Sequence, residues 1–444
     1  MQQVVKMEKT MNKVVVVIGA GLAGAEASYQ LAKRGFEVHL YEQKPKKFSP
    51  AHTDENFAEL VCSNSLKSNS LTNACGLLKE ELRHLDSLVI SSADKTKVPS
   101  GEALSVDRKM FSKIITEKIK SMPSIKVFNE CVEQIDVTKP TIIATGPLTD
   151  GKLLASLTNL LGNDSCYFFD AVAPIVTKES LDENHYFVAN RYEKGETSGD
   201  YINCPLSQDE YDEFFKALIT AKTVELKDFE NSKVFESCMP IEINAKRGYQ
   251  TLTYGILKPK GLVDPRTGKT PFAVLQLRKE SNFGNLYNLV GCQTNMLFGE
   301  QKRVFSLIPA LKNAEFVRYG VMHRNSYINA PKNLNRYYQL KKYPNVFVAG
   351  QLSGVEGYVE SISSGLYCAI NMANMLNDKP FVTFSSATAI GSLANYLSTA
   401  SEQNFQPMNS NWAIIKGDLK DKAERSKRAL EEIDSFIKGE KNGI

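Results

Sequence analysis

The first fifty residues restrict the fold more than any other stretch. Residues 13–18 (KVVVVI) are an unbroken, mostly β-branched run, the pattern of a strand buried on both faces of a parallel sheet. The run enters Gly19-Ala20-Gly21-Leu22-Ala23-Gly24, followed by a helix-forming stretch over residues 25–33 that Gly35 ends. Residues 37–41 (EVHLY) read as a second strand, closing on Glu42. This is G-x-G-x-x-G between strand and helix, the context in which the motif binds a dinucleotide. Gly19 allows the tight turn, Gly21 lets the backbone approach a pyrophosphate, and Gly24 lets the helix pack on the strand. The phosphates belong at the helix N-terminus, where unpaired N–H groups and the dipole favour anions. Glu42 is placed to accept from a ribose hydroxyl.

Two later segments extend this reading. Residues 140–146 (PTIIATG) form a short apolar strand ending at Gly146, and residues 345–350 (NVFVAG) form another, ending at Gly350. The second leads through Gly354 and Gly357 to Tyr358, and residues 361–376 read as a long helix. A cofactor fold resumed so late is split around an insertion, which favours FAD over NAD. The expected class is α/β: an FAD-binding Rossmann-like domain of the two-dinucleotide-binding type, divided by a smaller inserted α+β domain. The expected boundaries are a 1–10 extension, FAD-binding pieces at 11–180 and 314–412, an inserted substrate domain at 181–313, and a charged C-terminal helix at 413–444. Within the insertion, Ser207 and Glu210 predict a capped helix start. The charged C-terminal helix could track RNA backbone or pack Leu430, Ile433 and Phe436 on the body, and packing is the expectation.

Composition limits the alternatives. With 42% hydrophobic and 23% charged residues the chain is an ordinary globular one, and a net charge of +4 excludes a histone-like polybasic protein without excluding a local basic face. No apolar run approaches the roughly 18 residues a membrane helix needs, and no cleavable leader is recognised. Residues 1–10 are polar, and Met11 is a possible alternative start. Eight cysteines form no CxxC pair and five histidines show no ligand spacing, so the expectation is a cytoplasmic, metal-free protein with reduced thiols. Oligomeric state is not legible.

Longer motifs carry a resemblance over almost the whole chain, from about residue 13 to about 411. They are GAGLAGAEA (19–27), FAELVCSNSLKSN (57–69), ATGPLT (144–149), FESCMPIE (235–242), YGVMHRN (319–325), GQLSGVEGYVES (350–361) and NFQPMN (404–409). In these the chain resembles the folate- and FAD-dependent tRNA (uracil-5-)-methyltransferases, a sister group of the GidA-type flavoproteins. The resemblance implies that the carbon of 5,10-methylenetetrahydrofolate passes to C5 of a uridine in the tRNA T-loop. Reduced FAD then supplies the hydride, with NADH or NADPH behind it. Uracil C5 is a poor nucleophile until a group adds at C6, and a thiolate suits that addition. A second group must remove the C5 proton. The motifs pick out Cys238 as the nucleophile and Cys62 as its proton-handling partner, with the reverse assignment open. Tyr358, Glu356 and His323 match folate-facing stretches, where a ring can stack on a pterin and a carboxylate can pair with it. Cys204 reads as structural.

RNA contact is expected from Lys246, Arg247, Arg278 and Arg324, with Lys302, Arg303 and Arg318 as further cations, because phosphate contacts supply most of the affinity. Three positions depart from the family pattern: Ser237, Cys292 and Glu102 stand where glycine, an aromatic and glycine are expected. They leave the chemistry motifs intact but open the choice of RNA, so the same reaction on a 23S ribosomal RNA uridine is the alternative. A small-molecule flavoprotein oxidoreductase is the further alternative, although it would need neither a cysteine pair nor a basic face. A GidA-type enzyme would carry a longer C-terminal extension.

Overall fold

A computed structural model describes residues 13–149, 151–162, 165–171, 173–193, 199–224, 239–279, 286–320, 322–403, 405, 407–417 and 421–442. The chain begins in a five-stranded parallel sheet whose central strand is Val14–Ile18. Glu37–Tyr41 and then Ile125–Phe128 lie on one side of it, and Thr141–Ile143 and then Val346–Val348 on the other. The last strand therefore returns to its sheet some two hundred residues after its neighbour, as a divided cofactor fold requires.

The helix after the first strand runs Leu22–Lys33, starting inside the glycine motif with Gly21 as its N-cap. Glycines explain how closely the elements approach. A Cβ on Gly24 would stand 1.8 Å from the Gly19 carbonyl oxygen, and one on Gly365 would stand 2.2 Å from that of Ala23. The second contact brings the long helix Tyr358–Leu376 against the first helix. Glu26, buried in that first helix, accepts from Ser87 Oγ (2.7 Å) and Val89 N (2.9 Å), and burial raises its pKa.

Between residues 175 and 318 lies a second sheet, antiparallel throughout. Its order is Phe187–Val188, Tyr201–Leu206, Ala273–Lys279, Leu286–Leu289, Ile175–Thr177 and Phe316–Arg318. It is backed by the helix Gln208–Ile219, whose Ser207–Glu210 capping box forms as the sequence predicts. Two strands, Ser165–Ala171 and Met322–Ile328, pair with each other where the chain leaves and re-enters the first unit. Each large sheet has its own apolar core. The C-terminal helix Lys422–Asn442 packs Ile433, Leu430 and Phe436 on the first core, with the Phe436 ring 5.1 Å from that of Phe384. Among the described residues no helix is long and apolar enough to cross a membrane, and no cluster of three or more His, Cys, Asp or Glu side chains could hold a metal.

Candidate active site

Above the C-terminal ends of the parallel strands lies a cavity of about 390 Å³, lined by the first glycine turn, Glu42, the Thr145–Gly146 turn, Gly350, Cys62 and Tyr358. Loops at this end of an open parallel sheet are the usual place for a ligand. Gly19 holds φ at +96°, and a side chain there would meet the Ala144 carbonyl at 2.6 Å. Gly21, by contrast, has nothing within 4 Å of where a Cβ would stand, so the backbone is free for a ligand to approach. No side chain caps the helix that begins there, which leaves its first N–H groups facing the cavity. Glu42 is 7% exposed and is fixed by two main-chain donors, Ala20 N to Oε2 (2.8 Å) and Lys44 N to Oε1 (3.0 Å). An open glycine, an uncapped helix N-terminus and an anchored carboxylate in one cavity fit a dinucleotide such as FAD.

The later glycines divide. Gly146 (φ +74°) and Gly350 (φ +72°) line the cavity. Gly354 and Gly357 do not: a Cβ on Gly354 would stand 2.6 Å from the Phe405 ring, and one on Gly357 would stand 2.2 Å from Glu360 Oε2. They shape the turn that carries the cavity wall. Phe405 comes from the NFQPMN motif, whose Met408 pairs with the same turn through Glu356 N to Met408 O (2.8 Å). Glu356 is buried, 9% exposed, and is not part of the cavity wall.

Cys62 is half-buried in the wall of the same cavity, on a segment held from several elements. The Tyr358 hydroxyl accepts from the main-chain N–H of both Cys62 (2.7 Å) and Ser63 (3.1 Å). Burial, with the charge of Cys62 second, pushes the Tyr358 phenol well above its ordinary value, so it stays protonated. Arg108 and Arg318 donate to the carbonyls of Leu60 (2.8 Å) and Val61 (3.1 Å). Arg278 crosses over from the antiparallel sheet, its Nε donating to Asn64 Oδ1 (3.0 Å) and its Nη2 to Ser63 Oγ (2.5 Å). Asn64 passes the tie on, donating to the carbonyls of Val106 (3.1 Å) and Lys279 (2.8 Å). Behind the segment, Lys79 donates to the carbonyls of Leu66, Ser68 and Cys75, and burial lowers its pKa to about 8. Three guanidinium groups therefore hold the segment that carries the thiol, through the carbonyls of Leu60 and Val61 and the side chains of Ser63 and Asn64.

These contacts change how several residues are read. Arg278, expected as a surface cation for RNA, is only 6% exposed and has its guanidinium committed to Ser63 and Asn64. Tyr358, expected as a stacking ring, also uses its hydroxyl as an anchor. Nothing in the sequence marks Arg108 or Lys79 for this part. Each is one basic residue in a helix, and nothing local tells such a residue from a solvated one. Lys246 and Arg247 are exposed at the end of the helix Ile241–Lys246. Cys238 lies outside the described residues, but the segment just after it is anchored. Ile241 N donates to Gln293 O (2.8 Å), and buried Glu242 accepts from Thr294 Oγ1 and Asn295 N (2.8 Å each). For His323 and Arg324 only the main chain is described, in the strand Met322–Ile328. Cys204 is fully buried, and burial raises its thiol far above the usual range, as suits a packing residue.

A parallel sheet with its glycine cradle at the strand ends, joined to a second antiparallel unit, defines a dinucleotide-binding flavoprotein of the GidA type. The family model described as "Glucose inhibited division protein A" matches residues 14–380. The Aquifex aeolicus GidA structure superposes with a TM-score of 0.71 at 15% identity, covering 96% of this chain and 74% of that one, which is a likeness of fold. Sequence relatives are nearer. The methylenetetrahydrofolate–tRNA-(uracil-5-)-methyltransferase TrmFO of Bacillus licheniformis is 54% identical over 435 residues, 96% of this chain and all of that protein. The protein of the same name from Listeria welshimeri is 53% identical over 435 residues, covering 97% and 99%. The chain belongs to this family of methylenetetrahydrofolate–tRNA-(uracil-5-)-methyltransferases.

Proposed function

We propose that this protein methylates C5 of a uridine in the T-loop of tRNA, using 5,10-methylenetetrahydrofolate as the carbon donor and FAD reduced by NADH or NADPH. The observation that carries the reading is the placing of Cys62, a thiol on a segment gripped by Tyr358, Arg108, Arg278 and Arg318, in the same cavity as the glycine cradle. When bound, the folate supplies a one-carbon unit and the reduced flavin the hydride that turns it into a methyl group.

The chain's own residues do the rest. Gly21 and the uncapped helix N-terminus hold the pyrophosphate, and Glu42 accepts from the ribose. One cysteine of the pair Cys238 and Cys62 adds to uracil C6, raising electron density at C5, and the other takes the C5 proton before elimination. Cys238 is assigned the addition and Cys62 the proton. Tyr358 and His323 face the folate, whereas Glu356, buried off the cavity wall, is left to shape the turn that precedes Tyr358, and Lys246, Arg247 and Arg324 meet RNA phosphates. Arg278 serves as a positioning residue for the Cys62 segment.

The test is purified protein with reduced nicotinamide and methylenetetrahydrofolate, given unmodified tRNA and 23S rRNA transcripts separately, followed by mass mapping of 5-methyluridine. A mark in the tRNA T-loop is expected. A mark on the ribosomal RNA alone would transfer the same chemistry to that substrate, and no methylated uridine from a folded yellow protein would sink the reading.

A further inference from the structure

On the antiparallel sheet, away from the cofactor cavity, four aromatic rings form a row from solvent to core. Phe298 lies on Tyr319 (5.0 Å between ring centres, 18° between planes), Tyr319 on Phe316 (5.4 Å, 6°), and Phe316 reaches Phe305 (6.4 Å, 34°). Phe305 is fully buried, whereas Phe298 is 56% exposed at the outer end. Phe316 belongs to the edge strand Phe316–Arg318, and Phe298 opens the helix Phe298–Phe305. Gln301 clamps the two together: its Nε2 donates to Gly320 O (2.8 Å), and its Oε1 accepts from Gly320 N (2.7 Å). The outer ring is thus a flat apolar surface on a rigid mount.

Its surroundings are cationic. Lys302 is exposed one helical turn from Phe298, on the same face. Lys222, also exposed, sits beside it through Leu297 N to Lys222 O (3.0 Å). The nearby carboxylate, Glu300, is taken up by Arg303 (2.7 Å) and the Lys222 N–H (3.2 Å). Inward, Arg318, next to Tyr319, donates to Val61 O, one residue before Cys62. An exposed ring flanked by lysines is what a single-stranded nucleic acid requires, since bases stack on aromatic faces while phosphates meet cations.

We propose that Phe298, backed by Tyr319 and Phe316, is a stacking platform for an unpaired nucleobase of the tRNA near the uridine that reaches Cys62. The inference rests on the tRNA reading of the active site. The test uses the full chain with Phe298→Ala and Phe298→Trp, and a T-loop transcript carrying 2-aminopurine at single unpaired positions. Phe298→Ala is expected to raise KM for tRNA roughly tenfold, with Phe298→Trp restoring it. At one position, 2-aminopurine fluorescence should be quenched by the wild type and recover in the alanine variant. If Phe298→Ala fails to fold, Lys302→Ala should lower the slope of log affinity against log salt by about one, and an unchanged slope counts against the platform. Unchanged KM and quenching in Phe298→Ala, beside a wild type that methylates the transcript, overturns the platform alone. So does an alanine variant that keeps its tRNA affinity but loses self-association, which would make this face a contact with a second copy. A wild type that methylates no tRNA uridine overturns the functional reading and the platform with it.

Discussion

Around the parallel sheet, the cavity wall is largely main chain. Gly19, Gly146 and Gly350 hold positive φ, Gly21 leaves its backbone open, and even Glu42 is set in place by two backbone N–H groups. The antiparallel sheet contributes to the same region mainly through side chains: Arg278 and Arg318 reach across to the Cys62 segment, with the Lys279 carbonyl accepting from Asn64, and Phe298 stands exposed. The difference follows from what each part must recognise. A pyrophosphate is met by N–H groups at fixed spacing, which a tight turn presents without side chains. A cysteine segment has no such fixed partner and must be held by long side chains arriving from other elements.

The largest expected effect tests the side-chain half. Cys62→Ala should lower methylation by about 10²–10⁴-fold, the usual worth of a positioned acid or base, while the protein stays yellow, because no backbone element of the cradle changes. RNA carrying 5-fluorouridine then separates the two cysteines. A denaturant-stable protein–RNA adduct that persists in Cys62→Ala and vanishes in Cys238→Ala makes Cys238 the nucleophile, and the opposite pattern reverses the roles. A Cys62→Ala protein with full activity would break the comparison outright.

Next in size is a change in the backbone half. A Cβ on Gly24 would meet the Gly19 carbonyl oxygen at 1.8 Å, and main chain cannot yield as a side-chain tip does. Gly24→Ala should therefore purify with flavin occupancy reduced roughly tenfold or more, since overpacking of this kind costs about 1–3 kcal/mol at the turn. The flavin absorbance of the purified protein reads this directly. Full occupancy would mean that the turn relaxes and the cradle is less rigid than its contacts indicate.

The two halves also differ in how far the sequence reveals them. The cradle is legible because its constraints are local: strand, glycine turn, helix and Glu42 fall within thirty residues, and each glycine answers a steric demand of its immediate neighbours. The reappearance of the fold near Gly350 is legible for the same reason, although the helix there begins at Tyr358 rather than Ser361. What holds Cys62 is not local. Arg278 lies 215 residues from Ser63, and Tyr358 lies 296 from Cys62. The strand carrying Arg278, AVLQLRK, is buried at both alternating and adjacent positions, so no periodicity marks its arginine as interior. Phe298 and Tyr319 come from a helix and a strand end, and their stacking appears only once the sheet edge is formed.

Tyr358 sharpens the comparison because it belongs to both halves: it starts the long helix of the first unit, yet its hydroxyl holds the Cys62 segment. Tyr358→Phe keeps the ring and removes the acceptor for two N–H groups. If stacking on the folate were its whole contribution, phenylalanine would restore both kcat and the KM for methylenetetrahydrofolate. If the anchor matters, the two N–H groups lose a partner worth about 1–3 kcal/mol, the cysteine drifts, and kcat falls roughly tenfold with little change in the folate KM. We expect the second result. A phenylalanine variant indistinguishable from wild type would return the holding of Cys62 to the arginines alone.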